Sequence, residues 1–361
     1  MTKKKIGLLF GGRSGEHEVS LTSASTIANN FAAEQFEVVP LLISRDGRWY
    51  GPIALQDIAT ATAEQYGEQE VILAPQPGGR LLSAADGREI CCLDVMFPIV
   101  HGTYGEDGIL QGLLELVGVP YIGAGVAGSA ICMDKVLMRK ILAYHHIPQV
   151  AFTTVLRSQI EQNLPQAIMQ IEAALAYPVF VKPANGGSSV GISKARDKEE
   201  LAQALKLAAC YDRKILIEQG IIAREIEISV LGNEEPKVSM PGEICSSNEF
   251  YDYKAKYIDN KSVSVIPAQL PEETIKNIQQ LAVEAYKVLD CEGFARVDFF
   301  VSKIDGQIYL NEINTLPGFT DISMYPKMWE AAGVPMQALL CQLVELAEQR
   351  FLERSKNSVE R

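Results

Sequence analysis

The chain has seven cysteines but no CxxC pair and no His/Cys spacing suited to zinc, so the thiols are read as reduced and buried rather than as metal ligands. Positive charge is also short. Lys and Arg total 33 against 45 Asp and Glu, a formal net charge of −12, which disfavours a general nucleic-acid or anionic-membrane surface. A phosphate site must then be a local focus of lysines, arginines and backbone N–H groups. No apolar run reaches membrane length. The opening MTKKKIGLLFGG is basic, but its apolar stretch at residues 6–10 is too short for a signal-peptide core and ends in glycines, so a cytoplasmic protein is expected. Two nucleotide fingerprints are missing as well. The glycines at 11 and 12 lack the G-x-G-x-x-G spacing, and no GK[ST] opens a helix.

What is present is core-forming. At 361 residues and 47% hydrophobic content the chain is expected to divide into two or three domains. Residues 6–10 read as a buried strand, followed by Gly11-Gly12 and a helix from about Ser20, an α/β opening. Residues 95–100 repeat the strand pattern and end at His101-Gly102, before a helix through 109–117. Ligands collect beyond the carboxyl ends of parallel strands, which marks Glu16, His17 and His101. Taken alone, Glu16-His17-Glu18 better suits a helix cap than acid/base chemistry, and His145-His146 a helix end. Residues 51–88, rich in Ala, Gln, Gly and Pro, read as an insertion with short elements of its own. A second unit holds helices at 134–145 and 198–210 and strands at 179–182 and 215–218. Beyond it come further strands from Glu225, a Tyr-rich stretch at 246–261, a helix at 272–289 and an amphipathic helix from Pro335 to about Glu353.

The segment RVDFFVSKIDGQIYLNEINTLPG, residues 296–318, reads as a β-hairpin turning at Asp305-Gly306. A strict two-residue turn sets Asp298 opposite Ile313, on the other face from Glu312. A three-residue loop or a bulge instead sets Asp298 opposite Asn314 and Phe300 opposite Glu312, so that two carboxylates and an amide oxygen share a face. Such hard oxygen donors suit magnesium, which keeps waters and leans on substrate phosphates, so a nucleotide is implied. A lone Asp/Glu pair would fit an exposed hairpin; Arg296 beside it and the irregular exit at 314–318 do not. Upstream, Lys182 precedes a Gly/Ser-rich stretch, PANGGSSVG, that reads either as a phosphate-wrapping flap or as an ordinary hairpin loop, with Lys182 favouring the flap.

Taken together, GGRSGEHEVSL, HGTYGEDG, MDK, VKPANGGSSVG, EFYDYKAKY, RVDFF and NEINTLPGFT resemble the D-alanine:D-alanine ligase family of the ATP-grasp superfamily, in that family's order and over nearly the whole chain. VKP and EIN recur across ATP-grasp enzymes; the GEHEVS opening with YDYKAKY is specific to these ligases. The resemblance implies a fold of α/β and α+β units in a three-domain ATP-grasp architecture. A parallel-sheet N-terminal domain (1–123) would precede a central subdomain (124–218) and a C-terminal subdomain (219–361), with ATP held between two antiparallel sheets. It also implies ATP-dependent joining of two D-alanines through an acyl phosphate for peptidoglycan synthesis, with two Mg2+ or Mn2+ ions on Asp298, Glu312 and Asn314.

By the same resemblance Lys135, Lys182 and Lys256 attend the phosphates, Glu218 and the Ile221 backbone the adenine and Glu225 the ribose, with Ser189 and Phe300 also among the ATP-binding residues. Glu16 binds the first ammonium and is held by Ser188 and Tyr257, His101 sits near the first carboxylate, Arg296 and the Gly318 N–H stabilise the oxyanion, and Ser323 receives the second carboxylate. Tyr257 argues for D-alanine over D-lactate as acceptor, and a homodimer through the first domain is implied. A different ATP-grasp ligase would lack the Glu16, Ser188 and Tyr257 set, a NAD-dependent oxidoreductase would need a dinucleotide fingerprint, and a silent ATP-binding protein would have lost a metal ligand or Arg296.

Overall fold

The computed structural model describes residues 2–245 and 263–358. Strand β1 (Lys4–Gly11) is almost wholly apolar because it is buried on both faces: Ile6, Leu8, Leu9 and Phe10 are fully covered. Helix α1 (His17–Asn30) follows. It begins earlier than its apolar pattern suggests because the Glu16 carbonyl already accepts the Ser20 N–H at 3.0 Å. The sheet continues through β2 (Phe36–Ile43), β3 (Trp49–Tyr50), β4 (Glu70–Leu73), β5 (Arg80–Ser83), β6 (Glu89–Cys92) and β7 (Val95–Pro98), in the order β6-β5-β4-β3-β2-β1-β7.

Only β1, β2 and β7 run parallel; the other pairs are antiparallel, which corrects the expectation of a parallel sheet. The chain reverses after β2 through the short turn at 44–48, which admits only an antiparallel β3, and β4, β5 and β6 extend that edge, with a 3-10 helix (Leu55–Thr60) in the longer connection from β3 to β4.

Helices α2 (Ile109–Leu116), α3 (Val126–Met133) and α4 (Lys135–Tyr144) lead to the second sheet. Asp134 caps α4, its Oδ1 accepting the Val136 and Leu137 N–H groups at 3.1 Å, and thereby fixes Lys135 at the first helical position. Strands β8 (Phe152–Leu156), β9 (Val179–Pro183), β10 (Ser193–Ala195) and β11 (Lys214–Gln219) form an antiparallel sheet in the order β10-β9-β11-β8. Helices α5 (Arg157–Ala174) and α6 (Lys198–Tyr211) bury Ile168, Ile171, Leu201 and Leu205 against it.

The third sheet, also antiparallel, comprises β12 (Ala223–Leu231), β13 (Lys237–Val238), β14 (Gly242–Cys245), β15 (Val263–Val265), β16 (Phe294–Ser302) and β17 (Ile308–Asn314). One face, through Ile226, Ile228, Val297 and Phe299, packs on α7 (Glu272–Val288); the other carries Glu225, Glu227, Arg296 and Asp298. Helices α8 (Met324–Ala331) and α9 (Met336–Arg354) close the described chain. Leu339, Leu340, Leu343 and Val344 of α9 share one core with Ile6, Phe10 and Phe97 of the first sheet. In that core Phe319 lies 5.9 Å from Phe97 and 5.8 Å from Phe294, edge to face, which pins the chain next to Gly318. Among the described residues no helix is long and apolar enough to cross a membrane.

Candidate active site

The β16–β17 hairpin closes differently from either reading of its turn. Ser302 Oγ accepts the Ile304 and Asp305 N–H groups at 3.2 and 3.4 Å, Asp305 Oδ1 accepts the Gln307 N–H at 3.2 Å, and Gly306 takes φ +72°. The loop is therefore residues 303–306, and the ladder shifts register between Asp298 and Phe299, leaving Asn311 bulged. A bulge is present as anticipated, but the pairs are corrected: Asp298 faces Glu312, Arg296 faces Asn314, and Phe300 faces Tyr309. The cause lies in the core, because Leu310 and Ile313 are both buried although three apart, and only an extra residue between them turns both inward. Asp298, Glu312, Arg296 and Asn314 nonetheless share one face. On the neighbouring strand Glu227 stands opposite Asp298, so three carboxylates cross β12, β16 and β17 in a row.

Arg296 ties that row together. Its Nε and Nη2 donate to the two Asp298 oxygens at 2.7 Å each, and Nε lies 3.0 Å from Glu227 Oε2. Burial alone would lower its pKa, but Asp298 and Glu227 outweigh it and hold the guanidinium well above its ordinary value, so it is permanently cationic. Glu312 has Lys135 Nζ at 3.8 Å, and Lys135 also donates to the Gly186 carbonyl at 2.7 Å. Asn314 Oδ1 accepts the Leu316 N–H at 2.9 Å. Among the described residues no three His, Cys, Asp or Glu side chains gather closely enough to hold a metal unaided. Asp298 and Glu312 on one face, an amide oxygen next to them and room for phosphate oxygens fit a hard cation completed by substrate and water.

The glycine-rich loop reaches across to the first sheet. Ser188 donates a hydrogen bond to Glu16 Oε1, and both Ser188 (φ +47°) and Ser189 (φ +59°) hold left-handed backbone. A Cβ at Gly187 would lie 2.6 Å from Glu16 Oε2, and one at Gly102 2.7 Å from the same atom, so two bare backbones make room for this carboxylate. Behind it, His101 is buried with Nδ1 3.1 Å from the Leu316 carbonyl and Nε2 3.1 Å from Ser23 Oγ. Glu106, next to His101, accepts the Gly102 N–H at 2.7 Å. Burial pushes its carboxyl up, as does the nearby Glu16, against the opposing pull of His101. Ser323 lies against Gly318, where a Cβ would come within 2.8 Å of its hydroxyl.

These groups line two cavities that meet. One of about 210 Å³ takes in Glu16, His101, Arg296, Gly318 and Ser323; the other, of about 100 Å³, is walled by Lys182, Ser189, Glu225, Asp298 and Phe300, and both touch Lys135, Ser188, Glu227 and Glu312. The smaller one lies between the second and third antiparallel sheets. Glu218 and Ile221 are not among its lining residues. Glu218 is only 2% exposed, with Lys182 Nζ at 2.5 Å from one oxygen and Arg139 hydrogen-bonded to the other. Burial would raise its pKa, yet Arg139 and Lys182 prevail and hold it below the usual carboxylate range. Lys256 and Tyr257 lie outside the described residues. No sequence motif singles out Glu106, Glu227 or Arg139. Glu227 was within reach, being two positions from Glu225 and hence on the same strand face.

Comparison with known proteins agrees with this geometry. Two family models match, "D-ala D-ala ligase N-terminus" over residues 5–124 and "D-ala D-ala ligase C-terminus" over residues 141–345. A D-alanine–D-alanine ligase of Natranaerobius thermophilus is 50% identical, covering 100% of this chain and 99% of that protein. Among solved structures, the D-alanine–D-alanine ligase of Coxiella burnetii superposes with a TM-score of 0.83 at 38% identity, covering 98% of each chain. The VanG D-Ala:D-Ser ligase of Enterococcus faecalis does so with 0.86 at 38% identity, covering 96% of this chain and 100% of that one. The chain, matched along nearly its whole length by both halves of the family, belongs to the D-alanine–D-alanine ligase family.

Proposed function

We propose that the protein joins two D-alanines to D-alanyl-D-alanine at the expense of ATP, through a D-alanyl phosphate, as a cytoplasmic step of peptidoglycan precursor synthesis. The observation that carries this reading is the junction of the two cavities, where a phosphate-sized slot walled by Lys135, Lys182 and the glycine-rich loop opens onto a chamber holding Glu16, Arg296 and Gly318.

In the first step a carboxylate oxygen of D-alanine attacks the γ-phosphorus of ATP and the bond to ADP breaks. Lys135 and Lys182 attract the phosphoryl oxygens, and the loop amides around Ser188 and Ser189 cover them. Glu16, oriented by Ser188, holds the substrate ammonium, while His101 sits by its carboxylate. Magnesium or manganese held by Asp298, Glu312 and Asn314 would neutralise phosphate charge when bound. In the second step the neutral amine of another D-alanine attacks the acyl carbon, phosphate leaves with the bridging oxygen, and the amine sheds a proton. Arg296, cationic at any working pH, and the Gly318 N–H face the developing oxyanion, and Ser323 receives the second carboxylate. Glu225, Phe300, Glu218 and Ile221 serve the nucleoside.

A homodimer is part of the proposal. Ile109, Leu113 and Leu116 form a stripe on α2 that is 58%, 36% and 76% exposed, an apolar face available to a second copy. The deciding experiment is phosphate release from Mg-ATP with D-alanine, L-alanine, and D-alanine plus D-serine or D-lactate, with products identified by mass. D-alanyl-D-alanine is the expected product. Turnover only with a mixed pair would move the acceptor, and no turnover with any D-amino acid would overturn the reading.

A further inference from the structure

Three cationic side chains line the larger cavity, Lys135, Arg296 and Lys327. The first two are committed, Lys135 to the Gly186 carbonyl and Glu312, and Arg296 to Asp298 and Glu227. The Lys327 side chain makes no hydrogen bond or ion pair with any described residue. It stands one turn beyond Ser323 on α8, so the two share a helix face. That face cannot turn away, because Tyr325, Met328 and Trp329 on the opposite side are buried, with Tyr325 5.3 Å from Phe294 and 5.6 Å from Phe319 in the aromatic core.

We propose that Lys327 is a specificity-determining residue that binds the α-carboxylate of the acceptor amino acid, acting with the Ser323 hydroxyl. The inference rests on the functional reading above and deepens it. The donor's carboxylate is consumed in the reaction, whereas the acceptor's persists as a full charge through both steps and into the product. It must enter a chamber whose walls already carry Glu16, Glu106, Glu227 and Glu312. An anion placed there is repelled unless a cation not already neutralised meets it. Lys327 is that cation among the described lining residues. Ser323 lies against Gly318, so a carboxylate held between Lys327 and Ser323 leaves the acceptor amine directed toward the acyl carbon beside the Gly318 N–H.

The test uses the full-length enzyme with Lys327→Met and Lys327→Arg. Donor activation is read as D-alanyl hydroxamate, formed when hydroxylamine traps the acyl phosphate. Loss of one charge-assisted contact should raise the acceptor KM by about 10- to 100-fold in Lys327→Met. Hydroxamate formation and the KM for ATP should stay within about twofold, and Lys327→Arg should recover most of the loss because it restores the charge. The wild type should strongly prefer D-alanine to D-alaninamide as acceptor, and Lys327→Met should lose much of that preference, a change that a structural role would not produce. Unchanged acceptor KM and discrimination would overturn the proposal, as would loss of hydroxamate in both variants. Wild-type enzyme that forms no hydroxamate would overturn the functional reading itself.

Discussion

Glu218 shows how a buried charge is kept. It is 2% exposed and Arg139 1%, and Lys182 completes the group. Removing one partner leaves an uncompensated ion in the interior, so Arg139→Met should destabilise the fold by about 3–5 kcal/mol. Urea denaturation checks the magnitude. The pH dependence has a definite sign. Glu218 titrates below its ordinary 4.5 in the fold, so its contribution is complete above that pH and is lost as pH falls through the depressed folded value. The wild type should therefore lose stability to acid more steeply than Glu218→Gln, and equal acid slopes would contradict the assignment. Legibility at this scale followed chemistry that repeats in motifs. Glu16 and Ser188 were readable together through the family pattern, and the structure joins them by a hydrogen bond across 172 residues. Arg139 was not readable, because nothing in its own helix indicates a partner on a distant strand.

For single elements, the limit of reading was register. Alternation in RVDFFVS identifies which β16 side chains share a face, and the structure agrees. Pairing across the hairpin depends on loop length, which here is set by Ser302 and Asp305 side chains capturing backbone N–H groups, a contest between near-equal turns that composition does not decide. The spacing of Leu310 and Ile313 was the one sequence sign of the bulge. The glycine-rich loop gives a prediction of its own kind. Gly187→Ala places a methyl 2.6 Å from Glu16 Oε2, so the Glu16 carboxylate must shift from its place beside the loop while no core is touched. Activity should fall about 100-fold or more, since misplacement of roughly 1 Å costs that much, while the melting temperature holds within about 2 °C. Steady-state assay with thermal denaturation on one preparation separates the two effects, and a parallel loss of stability would show that the loop is part of the core.

Across the whole molecule, the last helix and the first sheet are one body. Leu343 is 1% exposed and belongs to the core that holds Ile6 and Phe97. Leu343→Ala should cost about 2–5 kcal/mol and lower the stability of the first sheet, although no strand is altered. The two tryptophans allow a direct check, since Trp49 lies on β3 and Trp329 on α8. Variants retaining one or the other should unfold at the same urea concentration, and separated midpoints would contradict a shared core. Against a net charge of −12, the cations Lys135 and Lys182 are a local focus on the wall of the smaller cavity.

Isotope transfer reports whether acyl phosphate forms at the junction of the two cavities. D-alanine labelled with 18O in its carboxylate is incubated with ATP and magnesium, and the released phosphate is analysed by mass. If the donor carboxylate attacks the γ-phosphorus between the two cavities, one labelled oxygen per turnover passes into phosphate as the peptide forms. Unlabelled phosphate accompanying D-alanyl-D-alanine would mean that the donor carboxylate does not attack the γ-phosphorus.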